Sequence, residues 1–110
     1  MFTKGKKSTL SEMLSGYEKL DKANIEANEG ILIDDVFIGY SEDTEGYYCY
    51  VLGSYKAKPV YVTVPSSSIE QFVGIDASDV DEIRANNLKM YVEARTSKKG
   101  RLYYIAWIDD

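Results

Sequence analysis

The chain has 110 residues, a length that fits one domain with one core. Apolar residues make up 45% of it, which excludes a disordered tail, and 10 of the residues are tyrosine, a residue that favours strands. The net charge is −5, and an acidic average argues against a protein that coats polyanions over its whole surface.

The sequence is read as a single domain, 1–110, that begins with a basic arm over residues 1–8 and an amphipathic helix. Thr9 followed by Glu12 fits a capping box, in which each side chain satisfies a free amide of the first turn. Leucines, methionine and tyrosine then recur at helical spacing, which predicts a helix over 9–24. We expect this helix either to cover one end of the domain or to bind a partner.

From residue 31 onward, apolar residues recur at every second position, which indicates three strands joined by polar turns. Asp34-Asp35 interrupts the first strand and predicts a bulge or a bend. Gly53, inside the second strand, predicts sharp curvature there. The three predicted strands are residues 31–40, 47–55 and 60–64.

A helical region and a terminal hairpin follow the third strand. Ser67 with Glu70 fits a second capping box, and Gly74 is expected to end this short helix. Asp76 or Ser78 can cap a further helix with Val80 and Ile83 facing inward, and the last two predicted strands are residues 88–96 and 101–108.

The predicted order over residues 31–108 is β-β-β-α-β-β, preceded by the N-terminal helix. This order favours a mainly β fold with helices, an OB-fold-like five-stranded Greek-key barrel. Other small barrels and α+β sandwiches share the same order. With its curved first strand, its glycine in strand two and its basic, aromatic hairpins, the chain resembles the small OB-fold single-stranded-DNA-binding proteins of phages and other mobile elements.

The register of the last hairpin decides which rings point outward. A loop of Lys98-Lys99-Gly100, with Gly100 in the left-handed conformation, pairs Tyr91 with Trp107 and Arg95 with Tyr103 on the outer face. The opposite, core side then holds Met90, Val92, Ala94, Tyr104, Ala106 and Ile108. A two-residue loop would shift the pairing by one and reverse the faces of the last strand. We expect the first register because glycine suits the bulged loop.

Aromatic rings next to cations are typical of surfaces that bind single-stranded nucleic acid, because bases stack on rings and phosphates meet cations. The sequence therefore predicts a site for single-stranded DNA, or for RNA of the same chemistry, on the outer strand faces. Each ring taken alone is better explained by packing, and only the rings together with the lysines indicate nucleic-acid contact. The predicted stacking residues are Tyr48, Tyr50, Tyr61, Tyr91, Tyr103 and Trp107, and the predicted phosphate contacts are Lys56, Lys58, Arg95, Lys98, Lys99 and Arg101.

Catalytic and metal-binding chemistry is missing from the sequence. There is no histidine, no phosphate-binding glycine loop and no zinc spacing, so we expect no enzyme activity, no cofactor and no metal. Cys49 is the single cysteine and is expected to be a packed thiol. No apolar run approaches a membrane span and no secretion signal follows Met1, so we expect a cytoplasmic protein with no membrane partner.

A second interpretation keeps the same fold but makes the acidic surface functional. In it, the chain is a small interaction module or a phage or plasmid effector that binds a host protein, with its acids imitating a DNA backbone. A homo-oligomer is compatible with either interpretation, and in the second one the N-terminal helix can mediate self-association. The acids concerned are those of the turn 42–45 together with Glu70, Asp76, Asp79, Asp81 and Glu82.

Overall fold

A computed structural model of the protein describes residues 3–4 and 7–109, with side chains from residue 11 onward. That part of the chain is mainly β, with a few short helices. Its strands are β1 (Thr3–Lys4), β2 (Glu18–Lys19), β3 (Ile31–Ser41), β4 (Gly46–Tyr55), β5 (Lys58–Thr63), β6 (Lys89–Thr96) and β7 (Leu102–Asp109). Its helices are α1 (Lys7–Leu14), α2 (Ile69–Phe72) and α3 (Ala77–Ala85), with 3-10 turns at Lys22–Asn24 and Ser66–Ser68.

The strands form one curled sheet that resembles half of a barrel. Their order across the sheet is β2-β5-β4-β3-β6-β7, and β1 lies beside β3. β3 pairs with β4 along most of its length but with β6 only through Ile31 and Leu32. Since β6 runs antiparallel to β3 from that point, the β6–β7 hairpin extends past the start of β3. The five predicted strands are present, whereas the prediction missed the two-residue strands β1 and β2.

The predicted bulge in β3 is confirmed. Ile33 pairs with Gly53 and Asp35 pairs with Leu52, so Asp34 is the extra residue in the ladder. A Cβ built on Gly53 would lie 1.9 Å from the carbonyl oxygen of Leu32. Only a residue without a side chain permits this close approach, and the two strands bend together at this point.

The core lies on one face of the sheet, beneath α2 and α3. Val60, Val62 and Val64 are buried as their alternation predicts. Val80 and Ile83 of α3 also face inward, as expected, and α3 begins at an Asp76–Asp79 capping box. The alternation of apolar residues therefore identifies the buried face correctly along β5 and along α3.

The β6–β7 hairpin has the expected register. Tyr91 pairs with Trp107, Arg95 pairs with Tyr103, and the Ser97 amide donates to the Arg101 carbonyl at 2.9 Å. Gly100 has a φ of 78°, which is the left-handed conformation that the bulged loop requires. On the core side, Met90, Val92 and Ala106 are buried and Tyr104 and Ile108 pack against the core, but Ala94 is exposed because the hairpin has by then left the sheet.

The predicted helix over 9–24 is wrong in its extent. α1 begins at Lys7, so Thr9 lies inside the helix and is not its cap, and the side chain of Thr9 is outside the described part. The helix ends at Leu14, and Gly16 follows with a φ of 89°. The rest of 9–24 consists of a turn at 15–16, the strand β2 and the 3-10 turn Lys22–Asn24, with short connections. Within the predicted arm 1–8, the structure describes β1 and the start of α1, while Lys6 lies outside the described residues.

The strands on either side of α1 lie at opposite edges of the meander of β3, β4 and β5. β1 lies at the edge of β3 and β2 lies at the edge of β5. Phe37 and Leu52 lie on the outer face and are nevertheless only 0% and 1% exposed. Met13 and Leu14 of α1 are half-buried. That the N-terminal helix covers one end of the domain stays a prediction.

Two serine hydroxyls occupy the free edge of β7. The Ala106 amide donates to Ser68 Oγ at 2.9 Å, and the Ser67 hydroxyl donates to the Tyr104 carbonyl. These two hydrogen bonds take the place of bonds that a neighbouring strand would make on this edge. Ser67 was predicted to cap α2; the residue before α2 is instead Ser68, whose side chain makes no cap hydrogen bond. Among the described residues, no helix has both the length and the apolar character needed to traverse a lipid bilayer.

Replacing Gly53 by alanine is expected to lower the free energy of unfolding by at least about 2 kcal/mol, because the new Cβ meets backbone and not a flexible side chain. Urea denaturation of Gly53→Ala measures this change. Gly74→Ala is the matched control, since nothing lies within 4 Å of a Cβ built there. Equal stability of the two variants would contradict the close approach at Gly53.

Removal of the Ser68 hydroxyl is expected to cost about 1–3 kcal/mol, because the Ala106 amide is left buried without an acceptor. The urea midpoint of Ser68→Ala reports the loss. Ser66→Ala, in the same turn but at an exposed position, should leave the midpoint nearly unchanged.

Candidate nucleic-acid interface

Three of the predicted stacking residues form a ladder on the outer face of β4 and β5. Tyr48 contacts Tyr50, and Tyr50 contacts Tyr61, each edge-on with ring centroids 5.9 Å apart. All three rings are half-buried, and burial is the main reason that the pKa of Tyr50 is raised. The ring centroids of Phe37 and Tyr48 on this face are 6.1 Å apart. This ladder is therefore partly a packing surface.

The other three predicted stacking residues lie on the outer face of the β6–β7 hairpin. Tyr91 and Trp107 are stacked, with centroids 5.9 Å apart and an angle of 23° between the rings. Tyr91 also lies against Gly30, where a Cβ would come within 3.0 Å of its ring. Tyr103 is nearer the tip and is 39% exposed. The hairpin strip, defined as Tyr91, Trp107, Tyr103 and Arg95, is thus assembled as the register predicts.

A cleft of about 350 Å³ adjoins the hairpin strip. One wall is the outer side of β7, with Ile105 and Trp107, and Arg95 of β6 lies beside them. The other wall is the serine turn and α2, which contribute Ser67 and Gln71. Sequence reasoning missed this wall, since it read Ser67 as a helix cap and made no use of Gln71. The cleft combines a flat ring, a guanidinium group, a hydroxyl and an amide, which are the groups that hold a nucleobase.

The predicted phosphate contacts fall into two classes. Lys98, Lys99 and Arg101 are exposed at the hairpin tip. Arg95 is held by Glu93, with Nε 2.8 Å from a carboxylate oxygen, so that much of its charge is neutralised within the protein. The three cations of the tip are therefore more accessible to a phosphate than Arg95 is.

Lys56 and Lys58 flank the β4–β5 turn, where Lys56 and Ala57 both have positive φ. Lys56 forms an ion pair with Glu26, and this hydrogen bond is the main reason that its pKa is raised. Lys58 is exposed and lines a second cleft with Glu18 and Lys56. Of the two lysines, Lys58 is the better placed to meet a phosphate.

The strand pairing places the acidic turn 42–45 and the basic hairpin tip at opposite ends of the sheet. The β4–β5 turn and the hairpin tip both lie toward the start of β3. The turn 42–45 joins β3 to β4 and lies at the opposite end of the sheet. It contains Glu42, Asp43 and Glu45, while the hairpin tip contains Lys98, Lys99 and Arg101. The acidic average of the chain therefore hides a basic end.

Three of the carboxylates, Asp34, Asp76 and Asp79, have structural roles. Asp76 and Asp79 accept hydrogen bonds from each other's amides at the start of α3. Asp34 accepts a hydrogen bond from the Tyr17 hydroxyl at 3.4 Å, and burial, followed by this carboxylate, raises the pKa of Tyr17. Within the described residues, no three potential metal-ligating side chains converge.

Comparison of the chain with protein-family models, with curated proteins and with solved structures gives no significant match. The assignment of a function therefore depends on the geometry above.

Burial raises the pKa of the Cys49 thiol to about 12. The protonated thiol therefore stabilises the fold at any pH below the unfolded-state pKa of about 8.5, and this contribution declines as the pH rises from there toward about 12. We expect Cys49 to resist a water-soluble disulfide reagent in the native protein at pH 8 to 9 and to react at once in urea. Rapid native reaction, measured by absorbance of the released thiolate, would contradict its burial.

Proposed function

We propose that the protein is a non-enzymatic binder of single-stranded nucleic acid, built on an OB-like barrel, that acts in replication or recombination of a phage or other mobile element. The observation that carries this proposal is the β6–β7 hairpin, whose stacked rings lead to three exposed cations at the tip. Single strands expose flat bases and a charged backbone together, so a surface that binds them needs rings and cations side by side.

The order of the long strands supports the OB-like part of the proposal. Counted from β3 to β7, the five strands lie in the order third, second, first, fourth, fifth. A meander of three strands and a returning hairpin agree with a partly open five-stranded Greek-key barrel. In such barrels, oligonucleotides contact the face of strands two and three and the loops after strands one and four. The loop after strand four is here the basic hairpin tip.

The site is centred on the hairpin for two reasons. The face of strands two and three carries the Tyr48, Tyr50 and Tyr61 ladder, whose rings pack against one another and are all half-buried. The loop after strand one is acidic and repels phosphate. The hairpin strip has neither obstacle, and the neighbouring cleft offers space for one base against Trp107. Stacking contributes about 1–3 kcal/mol per base and tolerates any sequence.

Electrostatic attraction sets the path of the nucleic-acid backbone across the protein. Phosphates of a strand stacked on Trp107 and Tyr103 can meet the cations of the tip, while Lys58 lies toward the same end of the sheet. Because the chain is acidic overall, binding depends on these few cations and is expected to weaken steeply with salt.

Titration with oligo-dT and oligo-U at low salt tests the proposal. Trp107 is the single tryptophan of the chain, so its fluorescence reports on this site alone. We expect quenching that parallels the anisotropy of a labelled oligonucleotide and that reverses with added salt. Absence of binding in both measurements would overturn the proposal and favour the interpretation as a protein-interaction module.

Tyr103→Ala is expected to weaken binding by about 1–3 kcal/mol, that is, by roughly 5- to 150-fold in Kd, because one stacking ring is lost. Tyr47→Ala is the matched control: Tyr47 is 49% exposed, but it lies at the acidic end of the sheet. An equal loss in both variants would contradict a site on the hairpin.

Lys98→Ala combined with Lys99→Ala is expected to reduce the slope of log K against log salt by about 1.4, since each phosphate contact to a single strand contributes about 0.7. Arg84→Ala removes a cation from α3 and should leave the slope unchanged, although it too makes the chain more acidic. An unaltered slope in the double variant would exclude phosphate contacts at the tip.

A further inference from the structure

The large hydrophobic side chains that the described surface exposes are gathered at two places. Tyr40 and Tyr47, 48% and 49% exposed, face each other across β3 and β4, with ring centroids 5.1 Å apart. Leu102 and Tyr103, 61% and 39% exposed, begin β7. Exposed apolar groups gathered in this way mark interaction surfaces more often than groups scattered singly.

Each pair lies next to a turn whose charged residues all have the same sign. Tyr40 and Tyr47 adjoin the turn 42–45; these residues together are named the acidic end. Leu102 and Tyr103 adjoin Lys98, Lys99 and Arg101; these residues together are named the basic end. Each end therefore combines two exposed apolar side chains with three like charges, and the two ends carry opposite signs.

The two ends cannot meet within one chain. The acidic end lies beyond the last residues of β3, whereas the basic end projects past the first residues of the same strand. An end of one copy can meet the complementary end of another copy only by a head-to-tail arrangement.

We propose that copies of the chain associate head to tail, with the basic end of one copy docked on the acidic end of the next. Tyr103 packs against Tyr40 and Tyr47, Leu102 on the opposite face of β7 borders the contact, and three cations oppose three carboxylates. Such a contact joins two different surfaces and leaves one of each free, so it extends into open chains rather than closing at a dimer.

A second copy is the occupant that the charges favour. Like ends repel each other, so the pairing is specific for opposite ends and for one orientation. The exposed apolar area at each end is small and its charges are hydrated, so the association is weak and sensitive to salt. This inference does not rest on nucleic-acid binding, although both use the hairpin tip and therefore compete for it.

Sedimentation velocity without nucleic acid tests the inference. The wild-type chain should give a sedimentation coefficient that rises with concentration at about 0.02 M salt and falls back to that of a monomer at about 0.5 M salt. Glu42→Lys with Asp43→Lys makes both ends basic, and Lys98→Glu with Lys99→Glu makes both ends acidic. Each variant alone should remain monomeric, and an equimolar mixture should associate again. Glu45 is left unchanged because its φ is 51°.

Asp81→Lys with Glu82→Lys is the matched control, since it makes the same change in net charge at exposed positions of α3. This variant should associate as the wild-type chain does. The inference is overturned if the wild-type chain is monomeric throughout, if the acidic-end variant still associates, or if the mixture fails to restore association. Circular dichroism verifies that every variant is folded, and oligonucleotide binding by the acidic-end variant, whose hairpin is intact, is scored separately.

Discussion

The extra residue Asp34 in β3 and the missing side chain of Gly53 in β4 act together, and the rest of the structure depends on them. The Leu32 carbonyl approaches the position of a Gly53 Cβ to 1.9 Å, a distance that no other residue would tolerate. The two longest strands bend there, and the sheet curls around a single core. Since β3 reaches β6 only at its first two residues, the last hairpin can leave the sheet and project from it.

This curvature gives the two faces of the sheet different roles. The inner face is filled by valines and isoleucines and is closed by α2 and α3. The outer face is divided: Phe37 and Leu52 are buried on the meander of β3 to β5, while the outer side of the hairpin borders an open cleft. The tyrosines of β4 and β5 consequently serve packing as well as any ligand. The hairpin strip is the more accessible aromatic surface, and it is the one that leads directly to cations.

The distribution of charge follows from the same topology. Antiparallel pairing puts successive turns at alternate ends of the sheet, so the acidic turn and the basic hairpin tip are held far apart. A chain with a net charge of −5 thereby carries a basic end that can meet polyanions and an acidic end that repels them. Serine hydroxyls form hydrogen bonds with backbone groups on the edge of β7. Without these bonds, the same groups would be open to pairing with an additional strand.

The sequence by itself determined the five long strands, the bulge at Asp34, the buried valines and the register of the last hairpin. These features follow from local rules: alternation of apolar residues, the conformational freedom of Gly100 and the chain reversal that it allows. Only the tertiary structure decided that the N-terminal helix stops at Leu14, that Ser67 and Ser68 bind β7, and that Arg95 and Lys56 are engaged by carboxylates. Some of these contacts join residues that are distant in sequence. Others compete with local contacts that are equally favourable. Their outcome therefore depends on which surfaces the curled sheet brings together, and no periodicity in the sequence records that.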